Sequence, residues 1–177
     1  MFKKGTIGFI GAGAMGQALL RGLLQAEKVE PSAVFVTDAE SAKAETAARE
    51  TGASLALSNR EVAEDAEMII LAVKPGQIAE VLDETGALFK AGQTVVSIAA
   101  GVTLAKLRER IREPRVSLVR VMPNTPALVS AGMSAVAFDA GVGEETRKRL
   151  LEIFQAVGEA VELEESLMDA ATGLSGS

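Results

Sequence analysis

Residues 7–16 read Ile-Gly-Phe-Ile-Gly-Ala-Gly-Ala-Met-Gly. A short apolar run ends there in G-x-G-x-x-G, with Gly11, Gly13 and Gly16 at the motif positions, and a helical pattern follows. Each glycine answers a separate physical need. Gly11 permits the tight turn out of a strand. Gly13, lacking a Cβ, lets a pyrophosphate come close to the backbone. Gly16 lets the helix lie close to the strand. The helix N-terminus then faces phosphates with free N–H groups and the positive end of its dipole. A turn that merely packs helix on strand is the plainer alternative. The strand before, the helix after and the position in a βαβ unit favour dinucleotide binding.

The rest of the chain alternates in the same way. Strands are predicted over 6–10, 33–37, 54–57, 68–73, 94–99, 116–122, 133–138 and 160–163. Helices are predicted over 14–24, 40–51, 59–66, 76–88, 104–111 and 144–157, with another starting at 165–171. Ser58 or Asn59 and Thr103 are the expected caps, Gly52 a helix end and Pro114 a stop. Met68-Ile-Ile-Leu-Ala-Val73 is apolar throughout, as a strand covered on both faces should be. Repeated strand–helix pairs predict an α/β fold: doubly wound, Rossmann-type, a mostly parallel sheet with helices on both faces. No linker divides the first ~160 residues by the usual Pro/Gly/polar cues. The domain is therefore drawn over 1–163. Residues 164–177 are either a tail or the start of something longer.

Composition removes whole classes of chemistry. The 177 residues include no Cys, His, Trp or Tyr. A disulfide framework, a Cys/His zinc site, a thiolate nucleophile and a histidine base are all excluded, and no metal is expected. The net charge is −6. There is no Lys/Arg cluster and little to stack bases on, so no nucleic-acid partner is expected. No run approaches the ~18 apolar residues of a membrane span. The N-terminal residues 1–5 lead straight into the first strand, which does not fit a signal peptide. A cytoplasmic protein with no membrane partner is expected.

Further candidates sit where strands end, the usual place for ligands in open α/β sheets. Asp38 closes the second strand about 20 residues beyond Gly16, the position of the ribose-binding acid in NAD enzymes. It is equally placed to cap the next helix, and Ser41 and Lys43 could take a phosphate if it turned away, so NAD and NADP both stay open. Small residues at Ala99, Ala100 and Gly101 would let a flat ring approach. Asn124 and Thr125, between two prolines, offer uncharged hydrogen bonds or simply shape a turn. Lys74 is a candidate proton donor or cofactor contact, or a surface lysine beside a proline turn.

Taken together, five motifs resemble pyrroline-5-carboxylate reductases. They are the glycine loop at 7–16, Ala72-Val73-Lys74-Pro75, Ser97-Ile98-Ala99-Ala100-Gly101-Val102-Thr103, Met122-Pro123-Asn124-Thr125-Pro126, and Asp169-Ala-Ala-Thr-Gly-Leu-Ser-Gly-Ser177. The resemblance implies reduction of 1-pyrroline-5-carboxylate to L-proline by NAD(P)H, the last step of proline biosynthesis. It implies cofactor contacts at Gly11, Ala12, Gly13, Ala14, Met15 and Gly16, at Asn59, at Ala72, Val73, Lys74 and Pro75, and at Ile98, Ala99 and Ala100. Asn124 and Thr125 would lie near nicotinamide and substrate; no catalytic acid is assigned. In that family a C-terminal all-helical domain follows, makes a homo-oligomer and completes the substrate pocket. The resemblance therefore makes residues 164–177 the start of that domain, and makes this chain, alone, close to inactive. The helix from Glu165 is then expected to dock weakly, exposing Leu167, Met168 and Ala171. Two other readings are a β-hydroxyacid dehydrogenase-type cofactor domain and a non-catalytic dinucleotide sensor.

Overall fold

The computed structural model describes residues 6–175. Residues 1–5, read above against a signal peptide, and the Gly176-Ser177 end of the last motif lie outside the described residues.

Eight strands form one sheet: β1 (Ile7–Ile10), β2 (Val34–Thr37), β3 (Ser54–Leu55), β4 (Met68–Leu71), β5 (Thr94–Ser97), β6 (Ser117–Pro123), β7 (Gly132–Phe138) and β8 (Gly158–Glu162). Their order is β3-β2-β1-β4-β5-β6-β7-β8. All neighbours are parallel except β6 and β7. The helices are α1 (Ala14–Gln25), α2 (Ser41–Thr51), α3 (Asn59–Asp65), α4 (Ile78–Thr85), α5 (Leu104–Arg108), α6 (Glu144–Phe154) and α7 (Met168–Ser175). This is the doubly wound, mostly parallel arrangement expected from the strand–helix alternation.

Every residue of β1, β4 and β5 is buried, and their side chains alternate between two cores. Phe9, Ile70 and Val96 point into one core with Leu19, Leu20 and Leu23 of α1 and Leu150 and Ile153 of α6. Ile10, Ile69, Leu71 and Val95 point into the other with Val62 of α3, Val81 and Leu82 of α4 and Leu107 of α5. Each fully buried Leu or Ile contributes roughly 1.5–3 kcal/mol, so the sheet is held from both faces. The axis of α1 is set closely. A Cβ on Gly22 would run into the Val157 side chain and stand 3.2 Å from the Ala156 carbonyl oxygen.

Boundaries differ from expectation where a strand loses its neighbour. β4 stops at Leu71 rather than Val73. β1 ends at Ile10, and the glycine loop then turns away, so Ala72 is the last residue to bond across, from its N to Ile10 O at 2.8 Å. β5 stops at Ser97, level with Leu71. The helix drawn from residue 76 starts at Ile78, because Pro75 opens a 3-10 turn over Pro75–Gln77. α5 ends at Arg108, whose guanidinium donates to Glu113 O at 3.2 Å and Val116 O at 2.7 Å and draws the chain across. Ser58 and Thr103 are the observed caps, accepting from Glu61 N and Lys106 N, and Gly52 ends α2 in the left-handed region at φ 76°.

The segment after β8 is packed, contrary to the weak docking expected of it. Met168 is fully buried against Ala135 and Ala137 of β7, with Ala171 half-buried beside it. Leu167 is the one apolar residue of the three that stays exposed. Two acids fix the segment from outside the apolar contact. Glu165 Oε1 accepts from Leu104 N at 2.7 Å, and Asp169 Oδ1 accepts from Arg120 Nη2 at 2.7 Å. Among the described residues, no helix is long and apolar enough to cross a membrane.

Candidate dinucleotide-binding site

The glycine loop joins β1 to α1, and its three glycines are not equivalent. Gly11 has φ +109°, and a Cβ there would stand 2.5 Å from the Ala72 carbonyl oxygen. A Cβ on Gly16 would stand 2.5 Å from Gly11 O and 3.1 Å from Ala72 Cβ. Both positions are glycine because the protein's own backbone fills the space. Gly13 differs: nothing lies within 4 Å of its Cβ position, and φ −70°, ψ 179° suit any residue. Packing gives no reason for glycine at 13. A ligand lying against the backbone does, so the loop fits the pyrophosphate of a dinucleotide. The first helical bond of α1 runs from Gln17 N to Gly13 O at 2.9 Å. The N–H groups of Ala14, Met15 and Gly16 precede it, at the positive end of the helix.

Side chains from two other places hold the loop still. Asp38 Oδ2 accepts from Ala12 N at 2.7 Å, and Gln17 Nε2 donates to Ala12 O at 2.8 Å. The Ala12 peptide is thus fixed on both sides. Arg21 Nη1 in turn donates to Gln17 Oε1 at 3.2 Å and pairs with Glu50 of α2 at 3.4 Å.

Asp38 does more than the capping role predicts. Its Oδ1 accepts from Glu40 N at 2.8 Å, an aspartate turn at the end of β2. The residue flanking α2 is Glu40 instead, with no side-chain cap. Lys43 Nζ donates to Glu40 Oε1 at 2.6 Å. That hydrogen bond, then the charges of Glu40 and Asp38, hold the ammonium above its ordinary range despite some desolvation.

Gly11, Asp38, Asn59 and Val73 come together in one narrow cleft of about 120 Å³, with Gln77, Glu80 and Glu84 of the α4 side completing its wall. Asn59 Nδ2 donates to Glu84 Oε2 at 2.8 Å. The cleft wall holds three carboxylates and no Lys or Arg. Glu80 and Glu84 were not singled out in the sequence. Their signal was an i, i+4 acidic pair beside the apolar Ile78, Val81 and Leu82. A larger groove of about 720 Å³ runs along α6 and β8, but none of the sequence-predicted site residues lines it, and the chemistry points to the smaller cleft.

Apart from Val73, the other strand-end residues do not line this cleft. Lys74 is exposed; its backbone is closed into a turn by Gln77, whose Oε1 accepts from Lys74 N at 3.2 Å. Ala72 and Val73 are half-buried, Pro75 exposed. Ile98 is half-buried and Ala100 exposed, whereas Ala12 and Ala99 are 1% and 3% exposed and present only backbone. Asn124 Oδ1 accepts from Met133 N at 2.8 Å, which fixes its amide and leaves Nδ2 as the donor end. Thr125 begins a 3-10 segment, Thr125–Val129, that packs on α1 and β7; its side chain is exposed.

Comparisons with known proteins show the family and the fold. Residues 6–101 match the family model described as NADP oxidoreductase, coenzyme F420-dependent. The pyrroline-5-carboxylate reductase of Escherichia coli (strain K12) is 42% identical over 171 residues, covering 97% of this chain and 63% of that protein. A pyrroline-5-carboxylate reductase from Coxiella burnetii superposes with a TM-score of 0.91 at 31% identity, over 98% of this chain and 64% of that one. The Plasmodium falciparum pyrroline carboxylate reductase, solved with NADP bound, has a TM-score of 0.87 at 29% identity, over 98% and 63%. This chain therefore spans somewhat less than two thirds of the length of the curated relatives it matches.

Proposed function

Because this chain belongs to the NADP oxidoreductase family, coenzyme F420-dependent, and matches pyrroline-5-carboxylate reductases along 97% of its length, we propose that it is the nicotinamide-cofactor domain of a reductase converting 1-pyrroline-5-carboxylate to L-proline. One observation carries the reading: Gly13 is glycine where the protein itself leaves a side chain ample room. Gly13 and the first-turn N–H groups of α1 would hold the pyrophosphate, Asp38 and Asn59 would hold the adenosine ribose, and the turns at 72–75 and 98–100 would receive the nicotinamide.

When bound, the reduced nicotinamide supplies the hydride that adds to the imine carbon. The protein's task is to hold the two reactants in line and exclude water. A cyclic imine is partly protonated already, so its nitrogen needs no strong acid. That suits a chain without His, Cys or Tyr. Asn124 Nδ2, its amide fixed by Met133 N, is the donor we assign to the nicotinamide or substrate side, with Thr125 beside it.

We also propose that NADH is preferred over NADPH. Three carboxylates line the adenosine cleft, and Lys43, the cation offered for a phosphate, is engaged by Glu40. Asp38 is held facing the loop by Ala12 N and Glu40 N, with lone pairs left for ribose hydroxyls. A 2′-phosphate would meet like charge. Titration of the chain with NADH and NADPH, read by nicotinamide fluorescence, tests both proposals. NADH should bind more tightly, and Asp38→Ser should narrow or reverse the ratio. An unchanged ratio in that variant sinks the preference, and no binding of either nucleotide sinks the cofactor reading.

A further inference from the structure

Arg120, in the middle of β6, is 3% exposed and lies outside every motif the cofactor uses. Its Nη2 donates to Asp169 Oδ1 at 2.7 Å, and its Nη1 is 3.8 Å from Glu165 Oε1. The same Glu165 oxygen accepts from Leu104 N at 2.7 Å. Leu104 is the first residue of α5 and directly follows the turn at 98–103. At the other end of that turn, Ser97 is the register partner of Arg120, and its Oγ accepts from Ala99 N at 3.3 Å. Both ends of one turn are therefore tied down beside one buried cation.

We propose that Glu165, held in place by Arg120, is a positioning residue for the turn at 98–103 and through it for the nicotinamide half of the cofactor. The inference rests on the dinucleotide reading above. α5 has five residues, too few to hold its own first turn in place. Thr103 Oγ1 caps Lys106 N, which leaves Leu104 N as a first-turn donor in need of an acceptor. The acceptor comes from 61 residues away, on the segment that joins β8 to α7, and its negative charge suits a helix N-terminus. A buried arginine beside the carboxylate keeps it from turning to solvent. The turn that faces the nicotinamide is thus set by whether the segment after the sheet is docked.

The test compares two ligands that differ in the half they occupy. NADH reaches the turn; 5′-AMP fills only the adenosine end. Glu165→Ala should weaken NADH about tenfold, the equivalent of one charge-assisted hydrogen bond, and lower the emission of bound NADH, while 5′-AMP stays within about twofold. Glu165→Gln should recover most of the loss, since its amide oxygen still accepts from Leu104 N. Leu104→Pro removes the donor instead. Proline is tolerated at a first helical position, and Thr103, at φ −81°, ψ 158°, already has the conformation that precedes proline. It should reproduce the NADH loss even if Glu165→Ala proves unstable. Equal weakening of NADH and 5′-AMP would overturn the inference in favour of general loosening, as would unchanged NADH binding. A wild-type chain that binds neither ligand overturns the dinucleotide reading, and this inference with it.

Discussion

Gly13 and Gly16 lie three residues apart in one motif, yet the structure predicts opposite failures for them. In Gly16→Ala the new methyl would stand 2.5 Å from Gly11 O and 3.1 Å from Ala72 Cβ. Alanine within a helix gains up to about 1 kcal/mol over glycine. Overpacking against a backbone that cannot rotate away costs about 1–3 kcal/mol or more. A net loss of about 1–2 kcal/mol is expected, which lowers Tm by roughly 2–8 °C in a domain of this size. In Gly13→Val the side chain meets nothing within 4 Å and the backbone angles are ordinary, so stability should change by less than about 1 kcal/mol. Its isopropyl group occupies the pyrophosphate position, so dinucleotide affinity should fall at least tenfold. Differential scanning calorimetry and NADH titration on both variants check the pair. Unchanged NADH affinity in Gly13→Val would refute the argument that glycine at 13 serves a ligand, and an unchanged Tm in Gly16→Ala would refute the close approach of α1 to the loop.

Met168→Ala should cost about 2–3 kcal/mol in urea unfolding, since Met168 is fully buried yet belongs to a small cluster; a loss under about 0.5 kcal/mol would mean that α7 is not docked in solution. Ser58→Ala removes the oxygen that accepts from Glu61 N at 3.2 Å and should cost about 1 kcal/mol, with NADH affinity following only if Asn59, the next residue, is displaced.

The alternation of β1 through β6 with their helices was legible because the strands are short and mainly apolar, β4 throughout, and the helices between them carry apolar residues at helical spacing. Gly11, Gly16, Gly52, Ser58 and Thr103 were legible because each answers a local backbone need that nearby residues reveal. What escaped was contact across sequence distance. Nothing near Asp38 announces that its carboxylate reaches back to Ala12 N. Nothing near Arg120 announces that it is buried, because Val-Arg-Val in a strand reads equally as a solvent-facing arginine. The docking of Met168 escaped for the same reason: its partners, Ala135 and Ala137, are small residues that look unremarkable until a side chain is laid on them. Strand ends were overdrawn at Val73 and Ala99 because apolar residues continue past the point where the neighbouring strand turns away.

The contact between Gly22 and the 3-10 turn that carries Ala156 and Val157 bears on the speed of binding. Twelve residues make α1 about 18 Å long. Near its far end Gly22 sits so close to that turn that a Cβ would meet both the Val157 side chain and the Ala156 carbonyl. At its near end Gly16 rests on Gly11 O, and the Ala12 peptide is gripped by Asp38 and Gln17. A helix seated this way moves as one piece or not at all, so its first-turn N–H groups are aimed before any nucleotide arrives. Encounter then needs no slow closure of the phosphate loop. NADH should associate in a single phase whose observed rate rises linearly with concentration, without the plateau that a preceding rearrangement imposes.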